Sequence, residues 1–283
     1  MNYSLINCKH GLMLTEDNDM ISSLLRFYGE WAENSINLIE PLIPTGGVVV
    51  DVGANIGTIS LAFAKSVGPS GTVLAFEAQQ RVFYNLCANI LINNLCQVEA
   101  HHCLVGAQEN VTHLAFSEND NISAANLNRG GMSFLPNLQN PSAAVGKNRI
   151  QIHALDTYLD AYQRCDLIKI DVEGAEPLVL AGLRNTLMNK SPYLYVECGS
   201  EQLLNQLMPI FAAVNYRAYW HPSLHFNPNN FRTASNITHS QGDMNLLCIP
   251  SSRFNSEHKS IWETLHQVDS WQQVDRLFPG FQF

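Results

Sequence analysis

Five acidic side chains stand where short apolar segments end. The segments have the β-branched composition of buried strands, and the acids are Asp51, Glu77, Asp171, Glu173 and Glu197. Because ligands of an open parallel sheet bind outside the carboxyl ends of its strands, we expect these carboxylates to meet around one ligand. Carboxylates accept hydrogen bonds from hydroxyl groups and attract positive charge. The spacing therefore predicts a binding site with an acidic wall at one edge of a sheet.

The turn after the first of these strands, Gly53-Ala54-Asn55-Ile56-Gly57, separates two classes of cofactor. A dinucleotide site needs a further glycine in the middle, so that backbone amides can approach a pyrophosphate. This turn lacks that glycine, and the nearby Asp51 would repel a diphosphate but suits an ammonium or sulfonium group. Glu77 follows about twenty residues later, as a ribose-binding acid does. The pattern predicts S-adenosylmethionine and disfavours a nicotinamide-dependent oxidoreductase.

Asp171 is our first choice for an acid that faces the reacting group. The side chains that could assist it are Lys169, on the same face of the strand, Glu173, and the loop residues His221 and His225 as mobile bases. Each also has a structural explanation. Lys169 can simply neutralise Asp171, Glu173 can cap the next helix, and the histidines can be surface groups. The sequence predicts these five residues as catalytic candidates without choosing a base.

Clustered carboxylates at neighbouring strand ends also raise the alternative of a divalent metal. Mg²⁺ prefers oxygen ligands, and Asp171, Glu173 and Glu197 could each offer one. Lys169 can supply the balancing positive charge without any metal. We therefore predict that the protein holds no metal.

The composition excludes several kinds of partner. With 16 basic and 25 acidic residues, the formal net charge is −9, which opposes attraction to nucleic acid and to anionic membranes. The seven cysteines are scattered without a C-x-x-C pair, as reduced core thiols are. The chain has no basic-then-apolar leader, and no apolar run approaches the ~20 residues of a membrane span. We expect a soluble, cytoplasmic protein that binds neither nucleic acid nor membrane.

Strand-like segments alternate with segments of helical period, and these elements must position the acidic residues. The alternation is typical of an α/β fold with a mostly parallel sheet and helices on both faces. The expected strands cover 46–53, 71–78, 97–106, 166–174, 191–199 and 244–250. The expected helices between them cover 56–68, 80–94 and 175–189.

The chain divides into three parts around this alternating core. The parts are a helical leader or lid (1–45), a catalytic domain (46–250) and a helical tail (251–283). One amphipathic helix is expected over 21–44 and another over 260–283, which would pack on the body or on another subunit of a homodimer. Irregular stretches at 107–150 and 221–243 interrupt the domain. Loops of such length are usually functional or disordered, and we expect both near the acceptor of the reaction.

The ordered motifs resemble those of the FkbM-type methyltransferases, which are Rossmann-like class I enzymes dependent on S-adenosylmethionine. The resemblance covers roughly residues 24–250 and rests on YGEW (28–31), VVVDVGANIGTISLA (48–62), VLAFEAQ (73–79), DLIKIDVEGAEPLVLAG (166–182), PYLYVEC (192–198), FNPNNFR (226–232) and MNLLCIP (244–250). It implies a seven-stranded sheet whose last strand is antiparallel. It also implies transfer of a methyl group to oxygen, with S-adenosylhomocysteine as a product.

The resemblance also implies cofactor-binding residues, position by position. The first cofactor motif supplies Asp51, Gly53, Asn55, Ile56, Gly57 and Thr58, and the ribose motif supplies Glu77, followed by Ala78 where a proline is commoner. Tyr28 and Glu30 are expected to close over the methionine end of the cofactor, and Leu104 and Val105 to line its adenine. Asp171 is expected to face the transferred methyl group.

These observations predict an O-methyltransferase for a small or medium metabolite, such as a sugar, a polyketide or a peptide natural product. The acceptor oxygen belongs to a hydroxyl or to a carboxylate, and the sequence leaves both open. Base methylation is disfavoured, because the fourth strand ends in Asp171-Val172-Glu173-Gly174 and lacks the Pro-Pro-aromatic run of enzymes that methylate exocyclic amines. The rival interpretation is a module that keeps the cofactor pocket without turnover, or the methyltransferase half of a larger complex.

Overall fold

The computed structural model describes residues 3–17, 19–114, 132–143, 148–254 and 256–282. Five of the six predicted strands are confirmed within these residues, and the sixth, predicted over 97–106, is divided into two strands of different sheets. The strands are β1 (Tyr3–Cys8), β2 (Gly11–Glu16), β3 (Val48–Val52), β4 (Thr72–Glu77), β5 (Val98–His102), β6 (Leu104–Val105), β7 (Asn110–Leu114), β8 (Asn148–His153), β9 (Leu167–Ile170), β10 (Tyr193–Glu197), β11 (Tyr216–Leu224) and β12 (Gly242–Pro250).

Helices fill the connections between these strands. They are α1 (Met20–Tyr28), α2 (Glu33–Ile39), α3 (Thr58–Val67), α4 (Gln80–Ile92), α5 (Leu135–Gln139), α6 (Leu155–Leu159), α7 (Glu176–Ala181), α8 (Arg184–Asn189), α9 (Glu201–Ala213), α10 (Lys259–Glu263) and α11 (Gln273–Leu277). The helix predicted over 175–189 is divided into α7 and α8, which flank Gly182. Short 3-10 turns cover Glu40–Leu42, Pro141–Ala143 and Ser251–Arg253.

The central sheet has the strand order β11-β12-β10-β9-β3-β4-β5. From β10 to β5 the strands are parallel, and β12 lies antiparallel between β10 and β11. The chain runs from β3 outward to β5 and then crosses back to β9, so the order reverses between β3 and β9. Such a reversal opens a crevice at the carboxyl ends of the two strands. The predicted α/β fold with a mostly parallel seven-stranded sheet is confirmed.

Strand β3 shows how the sequence builds the core on both faces of this sheet. All five of its residues are buried. Because side chains alternate along a strand, Val50 and Val52 pack with α7 and α9 on one face, whereas Val49 packs with Phe63 of α3 on the other. Asp51 shares the face of Val49 and therefore enters the interior rather than the solvent.

The leader differs from the single helix predicted over 21–44. A hairpin of β1 and β2 comes first, and α1 and α2 are separate helices. The break falls at Gly29 (φ 74°) and Ala32 (φ 55°), whose left-handed backbone ends helical hydrogen bonding. The leader is therefore a hairpin with two helices, and the prediction of a wholly helical leader is wrong.

The tail also differs from the single helix predicted over 260–283. Its helices α10 and α11 are joined by an extended segment that pairs with the outer edge of β11. The backbone N of Trp220 donates to the carbonyl oxygen of His266, and the N of Val268 donates to that of Ala218, both at 2.9 Å. The tail therefore packs on the body of the same chain and covers an edge strand.

Both long interruptions are partly regular. Within the first, β7 and β8 join β6 in a separate three-stranded sheet, and residues 115–131 and 144–147 lie outside the described residues. In the second, β11 continues to Leu224 and β12 begins at Gly242, so its irregular part is 225–241. No helix in the described parts of the chain is long and apolar enough to cross a membrane.

Candidate active site

A cavity opens at the carboxyl ends of β3, β4, β9 and β10, where the strand order reverses. It contains about 1250 Å³ of space, counting the part open to solvent. Ten residues predicted for the site line it: Gly53, Asn55, Thr58, Glu77, Ala78, Leu104, Val105, Lys169, Asp171 and Glu173.

The glycine-rich turn approaches the cavity with a backbone that few residues can adopt. Gly53 has φ 75°, and a Cβ there would overlap the carbonyl oxygen of Asp171. Asn55 has φ 51°, a left-handed conformation that asparagine tolerates better than most residues. The turn therefore needs these residue types in order to bring its backbone to the cavity wall.

Glu77 ends β4 and is fixed by backbone amides. Its Oε2 accepts from the N of Asn55 at 3.0 Å, and its Oε1 accepts from the N of Gln79 at 2.7 Å. An ionised carboxylate has about four acceptor positions, so each oxygen can accept a further hydrogen bond from a ligand. Burial raises the pKa of Glu77 to about 7, although the amides and Lys169 oppose that rise. The arrangement fits the two hydroxyls of a ribose.

An apolar slot lies beside Glu77. Phe76, Cys103, Leu104 and Val105 are buried and line the cavity together with Ala78. Leu104 and Val105 belong to β6, which is held in place by parallel pairing with β8. A flat ring next to a ribose would fit such a slot, and so the residues present fit an adenosine-containing cofactor.

Asp51 does not line the cavity, contrary to the prediction that it faces the cofactor. It is fully buried, its Oδ2 accepts from Oγ of Ser60 at 2.6 Å, and its Oδ1 lies 3.4 Å from Nζ of Lys169. Strand register explains this, because Asp51 and Lys169 are direct neighbours on β3 and β9. The charge of Asp51 therefore holds Lys169 in place.

Lys169 connects the buried Asp51 to the cavity. Its Nζ lies 3.3 Å from Oδ2 of Asp171 and donates to the carbonyl oxygen of Gly53 at 2.9 Å. Although burial opposes the charge, the carboxylates of Asp171 and Asp51 raise the pKa of Lys169 above its usual range. Lys169 is therefore a buried cation that connects the cofactor turn to Asp171. This position agrees with the structural explanation that Lys169 neutralises Asp171.

Three carboxylates gather at the end of the cavity away from the apolar slot. Oxygens of Asp171, Glu173 and Glu197 lie within 4.8 Å of one another. Burial, and then the charge of Asp171, raises the pKa of Glu173 to about 7 and also raises that of Glu197. The three oxygens could hold a divalent cation, and they could equally hold or accept protons.

Neither predicted histidine base lines the cavity. Nδ1 of His221 lies 2.7 Å from the hydroxyl of Tyr195, and burial lowers the pKa of His221 to about 4. His225 packs its ring against Trp31, and its Nε2 lies 3.3 Å from Oδ1 of Asp243. Because strand β11 continues through His221, this histidine lies in the sheet rather than on a mobile loop. Each histidine instead contacts residues that line the cavity. His221 contacts Tyr195, and His225 contacts Trp31 and Asp243.

Tyr28 and Glu30 also lie outside the cavity, and they anchor the 225–241 segment instead. The hydroxyl of Tyr28 accepts from the N of Ile237 at 3.0 Å. The carboxylate of Glu30 accepts from Nδ2 of Asn227 at 2.8 Å and from the N of Phe231 at 2.9 Å. Neither residue lines the cavity, and their closure over the cofactor stays a prediction.

Two residues of the first cofactor motif pack against the protein interior behind the turn. Ile56 packs with Leu61 and with Met13 of the hairpin. Gly57 has φ 93°, and a Cβ there would lie 2.7 Å from Cδ1 of Leu86. Neither residue lines the cavity, so the structure shows their packing role, and their predicted role in binding the cofactor stays a prediction.

Several lining residues were missing from the predicted site. They are Trp31 and Ser35 of the leader, Phe76, Tyr195, Asp243 and Asn245, and Glu197, which was predicted among the acids at the strand ends but given no catalytic role, also lines the cavity. Pairing across β10 and β12 brings Asn245 opposite Glu197. A polar residue inside the apolar run MNLLCIP was the available signal for Asn245, and Glu197 was one of the acids noted at strand ends.

Comparison with known proteins identifies related methyltransferases. The sequence model described as Methyltransferase FkbM domain matches residues 51–218, more than half of the chain. "Methyltransferase 1" of Beauveria bassiana is 30% identical over 151 residues, which are 50% of this chain and 59% of that protein. "Methyltransferase sdnD" of Sordaria araneosa is 28% identical over 169 residues, covering 50% of this chain and 62% of that protein. The chain thus spans about three fifths of the curated relatives that it matches.

Solved structures match this chain at low identity. Methyltransferase FkbM from Methylobacillus flagellatus is 15% identical with a TM-score of 0.46, over 72% of this chain and 44% of that one. An O-methyltransferase from Bacillus cereus, in complex with S-adenosylhomocysteine, is 12% identical with a TM-score of 0.43, over 78% and 80%. The family match rests on the sequence and includes the turn, Glu77 and the Asp171 loop. The chain therefore belongs to the FkbM methyltransferase domain family, whose cofactor is S-adenosylmethionine.

Proposed function

We propose that this protein is an S-adenosylmethionine-dependent O-methyltransferase that methylates a hydroxyl oxygen of a small or medium natural product. A sugar, a polyketide or a peptide fits the proposal. The observation that carries it is the division of one cavity into two ends. Glu77 and the apolar slot suit the cofactor, and the Asp171, Glu173 and Glu197 carboxylates face the remaining space.

The acidic end supports the chemistry that an alcohol needs. Bound S-adenosylmethionine supplies an electrophilic methyl group on its sulfonium. A hydroxyl is a poor nucleophile until it loses its proton, so a base must take that proton as the new C–O bond forms and the C–S bond breaks. Glu173, with a pKa near 7, is suited to accept it, because a general base works best near the ambient pH. Asp171, held by Lys169, orients the hydroxyl.

The same charges argue for a hydroxyl acceptor over a carboxylate. Asp171, Glu173, Glu197 and Asp243 all line the cavity. Among the described lining residues Lys169 is the one lysine or arginine, and its Nζ is already bound by Asp51, Asp171 and Gly53. A further anionic group would meet repulsion at this end of the cavity.

The test is turnover with acceptors that differ only in charge. The protein is incubated with S-adenosylmethionine and either a neutral sugar glycoside or the matching uronic acid, and mass spectrometry follows S-adenosylhomocysteine and the acceptor. We expect release of S-adenosylhomocysteine together with a neutral acceptor heavier by one methylene. Preference for the uronic acid would contradict the hydroxyl proposal. Cofactor binding without turnover on a broad panel of alcohols would favour the non-catalytic module or a missing second subunit.

A further inference from the structure

The loop after β9 carries reactive side chains on an unusual backbone. Asp171, Val172 and Glu173 line the cavity. Glu173 has φ 55° and the following Gly174 has φ 94°, so two consecutive residues are left-handed. Such a conformation is unfavourable for glutamate and persists only where surrounding groups determine it. Some part of the structure must therefore hold this loop.

Glu176 makes the contacts that could do so. It is completely buried at the start of α7, and its Oε1 accepts from the N of Val172 at 3.0 Å and from the N of Gly174 at 3.2 Å. These two amides bracket Glu173. The side chain of Glu176 thus folds back onto the loop and binds amides that precede α7, rather than capping the first turn of that helix.

The loop held in this way also touches the cofactor turn. The carbonyl oxygen of Asp171 occupies the space that a Cβ on Gly53 would need. A shift of the loop would therefore move Asp171 against the turn and change the wall that receives the cofactor. Lys169, which donates to the carbonyl oxygen of Gly53 and pairs with Asp171, joins the same two segments.

We propose that Glu176 is a positioning residue: its Oε1 fixes the Asp171–Gly174 loop so that Asp171 and Glu173 face the acceptor while the cofactor turn stays open. This inference rests on the proposed function. One oxygen accepts both amide hydrogen bonds, and Oε2 has no hydrogen-bond partner among the described residues. Burial raises the pKa of Glu176, although the two amide hydrogen bonds oppose that rise. The geometry requires an oxygen acceptor at this position, which a neutral amide can also supply.

The test compares Glu176→Ala with Glu176→Gln, using S-adenosylhomocysteine as the probe in calorimetry. Glutamine keeps the oxygen acceptor, and we expect it to bind the probe within about threefold of the parent protein. Alanine leaves two amides without an acceptor, and we expect its affinity to fall by about tenfold or more. A role through charge or proton transfer predicts the opposite for glutamine, which would then resemble alanine.

Asp166→Ala is the matched control for lost stability. Asp166 is buried at the other end of β9, where its Oδ2 accepts from the N of Val48 at 2.9 Å. We expect this variant to have a lower melting temperature and unchanged affinity. Unchanged affinity for S-adenosylhomocysteine in Glu176→Ala would overturn the inference, and so would lost affinity in Glu176→Gln. If the alanine variant does not fold, the affinity of the glutamine variant alone still tests the inference. Absence of binding by the parent protein would instead contradict the proposed function.

Discussion

At the scale of single residues, the surroundings of two buried acids decide what each can do. Burial raises the pKa of both Glu77 and Glu173 to about 7. Glu77 is then stabilised by the amides of Asn55 and Gln79, whereas Glu173 lies near the acids Asp171, Glu176 and Asp243. The first environment suits a fixed hydrogen-bond acceptor, and the second suits a group that gains and loses a proton.

Glu77→Ala tests the first assignment. The variant removes the acceptor for two backbone amides and for the ligand hydroxyls, so we expect affinity for S-adenosylhomocysteine to fall by about tenfold to a hundredfold. Glu99→Ala is the control, because Glu99 is exposed on the neighbouring strand β5. Calorimetry should find the control within about twofold of the parent protein. Equal affinities of the two variants for S-adenosylhomocysteine would show that Glu77 does not bind the cofactor.

Glu173→Gln tests the second assignment through the pH dependence of stability. The pKa of Glu173 is about 7 in the folded protein and near 4.5 when unfolded. Between these values the folded state keeps a proton that the unfolded state has lost, so this group makes the free energy of unfolding fall as pH rises. In the variant that fall should be smaller by up to about 1.4 kcal/mol per pH unit. Urea denaturation at pH 5, 6 and 7 measures it, and identical slopes would contradict the raised pKa.

At the scale of elements, the cofactor turn and the loop after β9 are built against each other. The backbone of Gly53 meets the carbonyl oxygen of Asp171, and Lys169 bonds both segments. Two loops from neighbouring strands thus form one wall of the cavity. A substitution in either loop should therefore alter the conformation of the other.

Gly53→Ala tests this contact. The added methyl would overlap a backbone carbonyl, and the positive φ disfavours alanine, so we expect a loss of stability of at least ~2 kcal/mol and loss of cofactor binding. Gly199→Ala is the control, because a Cβ there meets nothing within 4 Å and its φ is not positive. Urea denaturation and calorimetry give both readouts. A Gly53→Ala protein that folds and binds normally would refute the close packing of the two segments.

The central strands and the turn were predictable from the sequence because their signals are local. An apolar run that ends in Asp51 and continues into the glycine-rich turn specifies a strand, a turn and a helix without distant contacts. The break between α1 and α2 was signalled only in part: Gly29 is a residue type that commonly ends helices, but the hydrophobic pattern continues past it and nothing in the sequence marks the left-handed backbone of Ala32. The position of His221 depends on how far β11 pairs with β12, which is a long-range property.

At the scale of the whole molecule, the leader and the tail both pack on the central sheet domain, and Ile36 of the leader and Trp262 of the tail share one core cluster. Trp31 and Ser35 of the leader line the cavity. The tail covers the outer edge of β11, a position where an exposed strand invites aggregation. The tail therefore contributes to stability without forming part of the cavity wall.

The Gln273→Ala variant tests whether the tail stabilises the fold without shaping the cavity. Oε1 of Gln273 accepts from Nε1 of Trp220 at 2.9 Å and from the N of Asp269 at 2.7 Å. We expect the variant to lose about 1–2 kcal/mol of stability and to keep its affinity for S-adenosylhomocysteine. The neighbouring Gln272→Ala is the control, because Gln272 makes an exposed contact with Glu201 and should change stability by less than ~0.5 kcal/mol. Weaker cofactor binding in Gln273→Ala would show that the tail shapes the cavity.

The central claim is that the cavity at the ends of β3 and β4 holds S-adenosylmethionine and its product. The most direct measurement is calorimetric titration of the wild-type protein with S-adenosylhomocysteine, with the Glu77→Ala variant titrated alongside. The account predicts one site per chain with a dissociation constant in the micromolar range, roughly −8 kcal/mol, and clearly weaker binding by the variant. No heat of binding to the wild-type protein at millimolar ligand, or equal binding by both proteins, would contradict it.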